Sequence, residues 1–158
     1  MRLSLVYGLM VALAGAAHAK GGGDIMKDAY ADDQAAIGRI PQDICDAGGR
    51  KQIDRIESFH AYGAKFTKFE DDGLGRQDAA AGKKGERDAF TTVKTFGARI
   101  KELKVDVFGQ VAVATFLLDY DVDTGKEKMA GKDRCTMVFA KVGDAWKIVH
   151  EHSSPLKS

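Results

Sequence analysis

The hydrophobic period changes once along this chain, and that change limits the fold more than any other feature. Up to Leu103 the apolar residues recur mostly at three- and four-residue steps; beyond it they alternate. Ile25, Met26, Ala29 and Tyr30, then Ala36, Ile37, Ile40 and Ile44, predict a helix over residues 24–46. Pro41 should kink or split it by removing a donor, and Gly48-Gly49 should end it. Ile53, Ile56 and Phe59 predict a second helix over 50–62, closed by Gly63. Residues 64–70, with Phe66 and Phe69, read as a first strand, and the glycine-rich stretch 71–85 as a loop. Ala89, Phe90, Val93, Phe96, Ile100 and Leu103 form one apolar stripe, which predicts a third helix over 86–103. The alternating part then predicts strands at 104–108, 111–122, 134–142 and 146–153. Gly109-Gln110 and Gly143-Asp144-Ala145 are hairpin signals, and 123–133 is a longer charged loop. Helices first and an antiparallel meander afterwards is an α+β layout, with the helices covering one sheet face.

With 158 residues the chain supports a single domain. A composition 44% hydrophobic and 30% charged is that of a globular protein rather than a disordered one. The net charge is +1, and no basic run interleaves with aromatics, which argues against a nucleic-acid partner. Residues 1–19 stand apart. Arg2 precedes an apolar run over 3–16, and Ala17-His18-Ala19 is a small-x-small cleavage pattern. A helix over that run rises about 21 Å, short of the roughly 30 Å hydrocarbon core of a bilayer. The expectation is a signal peptide cut between Ala19 and Lys20, leaving one domain over 20–158 in the bacterial periplasm or outside the cell, with no stable membrane anchoring. Export would let Cys45 and Cys135 pair as a disulfide, but buried free thiols are an equally ordinary state, and spacing does not choose between them.

Three segments carry a family resemblance. They are Gly109-Gln110-Val111-Ala112-Val113-Ala114, Arg134-Cys135-Thr136-Met137-Val138-Phe139, and Trp146-Lys147-Ile148-Val149-His150-Glu151-His152-Ser153-Ser154. In this wording and element order, residues 64–155 resemble the nuclear transport factor 2-like superfamily. The nearest branches are the SnoaL-like and ketosteroid-isomerase-like domains and the association domain of calcium/calmodulin-dependent kinase. The resemblance implies a curved antiparallel sheet wrapped on N-terminal helices, a cone-shaped, cystatin-like roll with a pocket at its open end. It also implies a homodimer paired through the sheet and a small apolar molecule in the pocket, with no cofactor.

Strand alternation divides the last strand into Trp146, Ile148, His150 and His152 on one face and Lys147, Val149, Glu151 and Ser153 on the other. Carried over from the resemblance, the pocket positions are Val149, Glu151 and Ser153, then Cys135, Met137 and Phe139, then Leu117, Asp119 and Asp121, with Tyr62 or Tyr120 as a hydroxyl source. Glu151 or Asp119 is the carboxylate able to act as a general base, since burial against an apolar wall raises a carboxyl pKa. The arginines that the kinase association domain gathers are replaced here by Leu117, Met137 and Ser153. His150 and His152 could present two imidazoles to a metal, but they fall on the far face without a third ligand, so no metal is expected. The Asp119-x-Asp121-x-Asp123 run lacks the glycine and glutamate of a calcium loop. Arg134 is expected to pair with Asp119 or Asp121. Two readings follow: a small-molecule-binding or interaction domain, or an isomerase- or dehydratase-like enzyme using Glu151 or Asp119.

Overall fold

The computed structural model describes residues 24–27, 29–70 and 75–156. The predicted signal peptide and its cleavage site lie outside them. Among the described residues no helix is long and apolar enough to cross a membrane.

Helix α1 (Ala31–Gly49) turns Ile37, Ile40, Ile44 and Ala47 inward. Pro41 is buried within it and does not divide it. The helix ends where α3 (Ala79–Thr92) crosses it. A side chain at Gly48 would place its Cβ 2.4 Å from the Phe90 ring, so glycine there permits the close approach. At the other end Trp146 Nε1 donates to Asp33 Oδ1 (2.7 Å), and Lys141 Nζ lies 3.1 Å from the same oxygen, tying the first turn of α1 to the sheet.

The second helix is much shorter than predicted. Only Ile53–Ser58 is helical (α2), because Phe59 to Ala61 leave the helix and lie along the last strand. Ala61 N–H donates to Ile148 O and Ile148 N–H to Phe59 O, both at 2.9 Å.

The five strands are β1 (Thr67–Phe69), β2 (Thr95–Phe108), β3 (Val111–Asp123), β4 (Lys128–Val142) and β5 (Ala145–Pro155), in the sheet order β1-β5-β4-β3-β2. Pairing is antiparallel except at β1, which runs parallel to β5. Gly109, Gly125 and Gly143 take φ values of +69°, +84° and +61° at the three hairpin turns, where other residues would be strained. The sheet is a curved, open wrap around the helices, with a core of Ile37, Ile56, Phe66, Phe139, Trp146 and Ile148.

The predicted third helix over 86–103 is corrected. The chain is helical from Ala79, capped by Asp78 whose Oδ1 accepts from Ala81 N–H (2.9 Å), and the helix ends at Thr92. Phe96 and Ile100, spaced like helical neighbours, are strand residues facing inward from β2 with Ala98. Leu103 sits in a β-bulge: Lys101 pairs with Leu117 and Lys104 with Thr115, leaving Glu102 and Leu103 opposite one residue, and Glu102 takes φ +52°. The bulge shifts the alternation and makes a strand imitate a helical stripe. The predicted loop over 123–133 likewise shrinks, because β4 begins at Lys128.

A buried ionic cluster closes the candidate functional site

The helices and the inner sheet face enclose a cavity of about 290 Å³. Its walls are apolar: Ile44 of α1, Phe90 of α3, Phe96 and Ile100 of β2, Phe116, Leu118 and Val122 of β3. Tyr120 lies across Gly131, where a Cβ would stand 2.5 Å from the tyrosine hydroxyl. Cys45 and Cys135 are buried free thiols on this same wall. Burial pushes the Cys45 thiol up to about 12 and the Cys135 thiol to about 11.

One end of the cavity is charged. Lys68 and Glu151 face each other across the β1–β5 register, with Lys68 Nζ 3.2 Å from Glu151 Oε2. Lys68 Nζ also lies 3.1 Å from Glu86 Oε1 and 2.8 Å from Glu70 Oε1. Behind this surface His60 Nε2 stands 3.3 Å from Glu151 Oε1 and 3.5 Å from Glu86 Oε1. The Tyr62 hydroxyl donates to Glu86 Oε2 at 2.6 Å, and its ring stacks on His60 with centroids 4.8 Å apart.

These groups come from four places in the fold. His60 is set by the Phe59–Ala61 segment on β5, Lys68 by β1, Glu86 by the inner face of α3, and Glu151 by β5. The His60 tautomer is fixed locally: Nδ1–H donates to Ile56 O (2.9 Å), which leaves Nε2 toward the carboxylates.

The electrostatics divide the two buried acids. For Glu151 burial acts to raise the pKa, but the charges of Lys68 and His60 outweigh it and hold the carboxyl well below its usual range. For Glu86 burial, then the Glu151 charge, raise the pKa against the pull of Lys68 and His60. His60 is raised in net: burial lowers it, and the neighbouring carboxylates of Glu151 and Glu86 overcome that. Lys68 is likewise held charged, since its carboxylate neighbours overcome burial. His60, Glu86 and Glu151 are ligand types for a metal, with donor atoms within 4.8 Å of one another. The Lys68 ammonium already places a cation between their carboxylates.

The structure redistributes the residues predicted for the pocket. On β5, Val138 pairs with His150 and Phe139 with Ile148, so Val149 is the extra residue of a bulge. Trp146 and Ile148 therefore share the inner face with Glu151 and Ser153, whereas simple alternation had set them apart, and Val149 does not line the cavity. Cys135, Met137 and Ser153 do line it, while Phe139 lies deeper, fully buried in the core. On β3 the predicted set is on the wrong face. Phe116, Leu118, Tyr120 and Val122 line the cavity, whereas Leu117, Asp119 and Asp121 point away from it. Asp119 forms ion pairs with Lys101 and Lys132, which removes it as a base in this cavity. Tyr62 is not on the cavity wall but behind Glu86. Arg134 pairs with neither aspartate: its Nε donates to Ser154 Oγ (3.0 Å). His150 is on the outer side, its Nδ1 2.8 Å from Thr67 Oγ1, and His152 is exposed beside Phe69.

His60, Lys68, Glu86 and Asp133 were missed in the sequence. For Lys68 a signal existed, because two-residue alternation puts it on the same face as Phe66. Nothing local marks the other three.

A family model described as the SnoaL-like domain matches residues 37–158. No curated protein matches the chain. Among solved structures, a candidate aromatic ring hydroxylase from Novosphingobium aromaticivorans is similar over 83% of this chain and 94% of its own, at 13% identity and TM-score 0.73. A nuclear transport factor 2-like superfamily protein from Salmonella enterica serovar Typhimurium covers 82% and 95%, at 14% identity and TM-score 0.72. A candidate dehydratase of the same family from Streptomyces avermitilis covers 80% and 98%, at 16% identity and TM-score 0.71. At such identities the structures speak for the fold, and the matched domain for the family. With its matched domain over residues 37–158 the chain belongs to the SnoaL-like domain family, and its cone-like sheet with an inner cavity is the fold it shares with nuclear transport factor 2-like proteins.

Proposed function

We propose that this chain is an exported domain that binds a small molecule with an apolar body, held in the cavity with its polar end toward the charged end lined by Lys68, Glu70, Asp133 and Glu151. The carrying observation is a largely apolar cavity of about 290 Å³ with its polar groups gathered at one end around Lys68 and Glu151. Few convergent polar groups in an apolar recess is the arrangement that orients a ligand. The volume is at the small end of the roughly 300–1,000 Å³ range of ligand pockets. Two such domains pairing through their outer sheet faces complete the proposed assembly. Native mass spectrometry of protein purified from a bacterial periplasm tests all three parts. The expected spectrum has a chain beginning at Lys20, a dimer mass and a retained small-molecule adduct. A chain beginning at Met1, a monomer, or a protein without any adduct would each remove the corresponding part.

A second reading is favoured by the His60–Glu151 contact at the end of the cavity: an isomerase- or dehydratase-like proton transfer with Glu151 as base. Two neighbours are named as candidate dehydratases, which keeps that reaction class in view. Against it, Lys68 and His60 hold Glu151 ionised and weakly basic, whereas an efficient base has a pKa near the working pH. Binding is therefore the first reading.

A further inference from the structure

Four side chains of formal charge line the cavity, Lys68, Glu70, Asp133 and Glu151, and His152 joins them. By formal charge that surface holds one cation against three anions, with His60 behind it as a second partner of Glu151. His60 and Glu86 stand behind it, with one potential charge of each sign. The three carboxylates are not equivalent. Glu70 and Glu151 both pair with Lys68. Asp133 accepts a hydrogen bond from Ser153 Oγ (2.9 Å) and has no ion-pair partner among the described residues. Glu151 is 7% exposed, and its Oε2 is taken up by Lys68 Nζ at 3.2 Å. Asp133 thus stands without a counter-charge on the β4 side of the cavity, whose lining also carries the aromatic rings of Phe116 and Tyr120 on the adjacent strand β3. A half-buried carboxylate in an apolar recess is costly without a counter-charge, and aromatic faces attract cations.

We propose, resting on the ligand-binding reading, that the ligand is an amphipathic organic cation. Its protonated amine would be anchored by Asp133, which Ser153 orients, and its apolar body would lie against the aromatic walls. Lys68 is already saturated by carboxylates and does not serve as an anion anchor.

Three probes sharing one body test this: 4-phenylbutylamine, 4-phenylbutan-1-ol and 4-phenylbutyrate, titrated calorimetrically into the purified chain at pH 7. The amine is expected to bind at least about tenfold more tightly than the alcohol, as a charge-assisted hydrogen bond supplies, and the carboxylate most weakly. Asp133→Asn should abolish the amine's advantage over the alcohol, with cooperative thermal unfolding reporting that the variant is folded. The wild-type ranking decides the matter even if that variant fails to fold. Equal binding of all three, or tightest binding of the carboxylate, overturns the cationic ligand and leaves the binding reading standing. If none binds, both fall.

Discussion

His60 Nε2 lies 3.3 Å from Glu151 Oε1 inside the fold, with the imidazole side chain wholly buried. The pair joins the segment after α2 to the last strand, and with Lys68 it keeps a largely buried carboxylate ionised. Its energetic consequence is a buried network in which removing one member strands the others.

Glu151→Gln is accordingly expected to destabilise the fold by about 3 kcal/mol, because Lys68 and His60 lose a charged partner. A double-mutant cycle with Lys68→Met should give a coupling of at least about 1 kcal/mol. Urea denaturation measures both. A Glu151→Gln cost below roughly 0.5 kcal/mol would mean that the cluster is not coupled as its distances imply.

The same cluster gives stability a two-sided pH dependence. Glu151 is lowered, so its stabilisation is present above the ordinary glutamate range and is lost as pH falls through the folded value. His60 is raised by Glu151 and Glu86 against burial, so its contribution is complete below the ordinary histidine range, about 6.5, and is lost as pH rises through the folded value. Glu86, also raised, acts in the same direction as His60, its contribution being complete below the ordinary glutamate range. Denaturation midpoints should peak on the acid side of neutrality and fall on both flanks. His60→Gln should flatten the alkaline flank, and an unchanged flank would assign it to another group.

Gly131→Ala probes the cavity wall. Its Cβ would fall 2.5 Å from the Tyr120 hydroxyl and 2.7 Å from Cζ, so the ring must move. The expected cost is about 1–3 kcal/mol, typical of overpacking, together with altered affinity for whatever occupies the cavity. Thermal unfolding with and without 4-phenylbutylamine reads both effects.

Asp33→Ala should release Trp146 Nε1 and Lys141 from the first turn of α1. Loss of a hydrogen bond to a charged group costs about 1.5–3 kcal/mol. Since Trp146 is the only tryptophan, a red shift in emission would accompany it. Unchanged emission would show that the α1–β5 tie does not control the indole environment.

By itself the sequence determined the class and the joints of this protein. Alternation after residue 104, the glycines at 109 and 143, and the inward stripe of α1 are local patterns, and each corresponds to an element or turn of the structure. Three things were decided only by tertiary structure. The α3–β2 boundary was hidden because the bulge at Glu102 and Leu103 shifts a two-residue period into the appearance of a helical one. The faces of the strands depended on register: Val149 is extra on β5, and whether Leu117 or Phe116 looks inward is set by pairing with β4, which no single strand encodes. The ionic end of the cavity needed His60, Lys68, Glu86 and Glu151 from separate elements. A charged residue in a sequence reads as a solvated one until the fold supplies its partners, and here the chain brings them together over a separation of some ninety residues (60 to 151), so that Glu151 was visible beforehand only as a lone acid between two histidines.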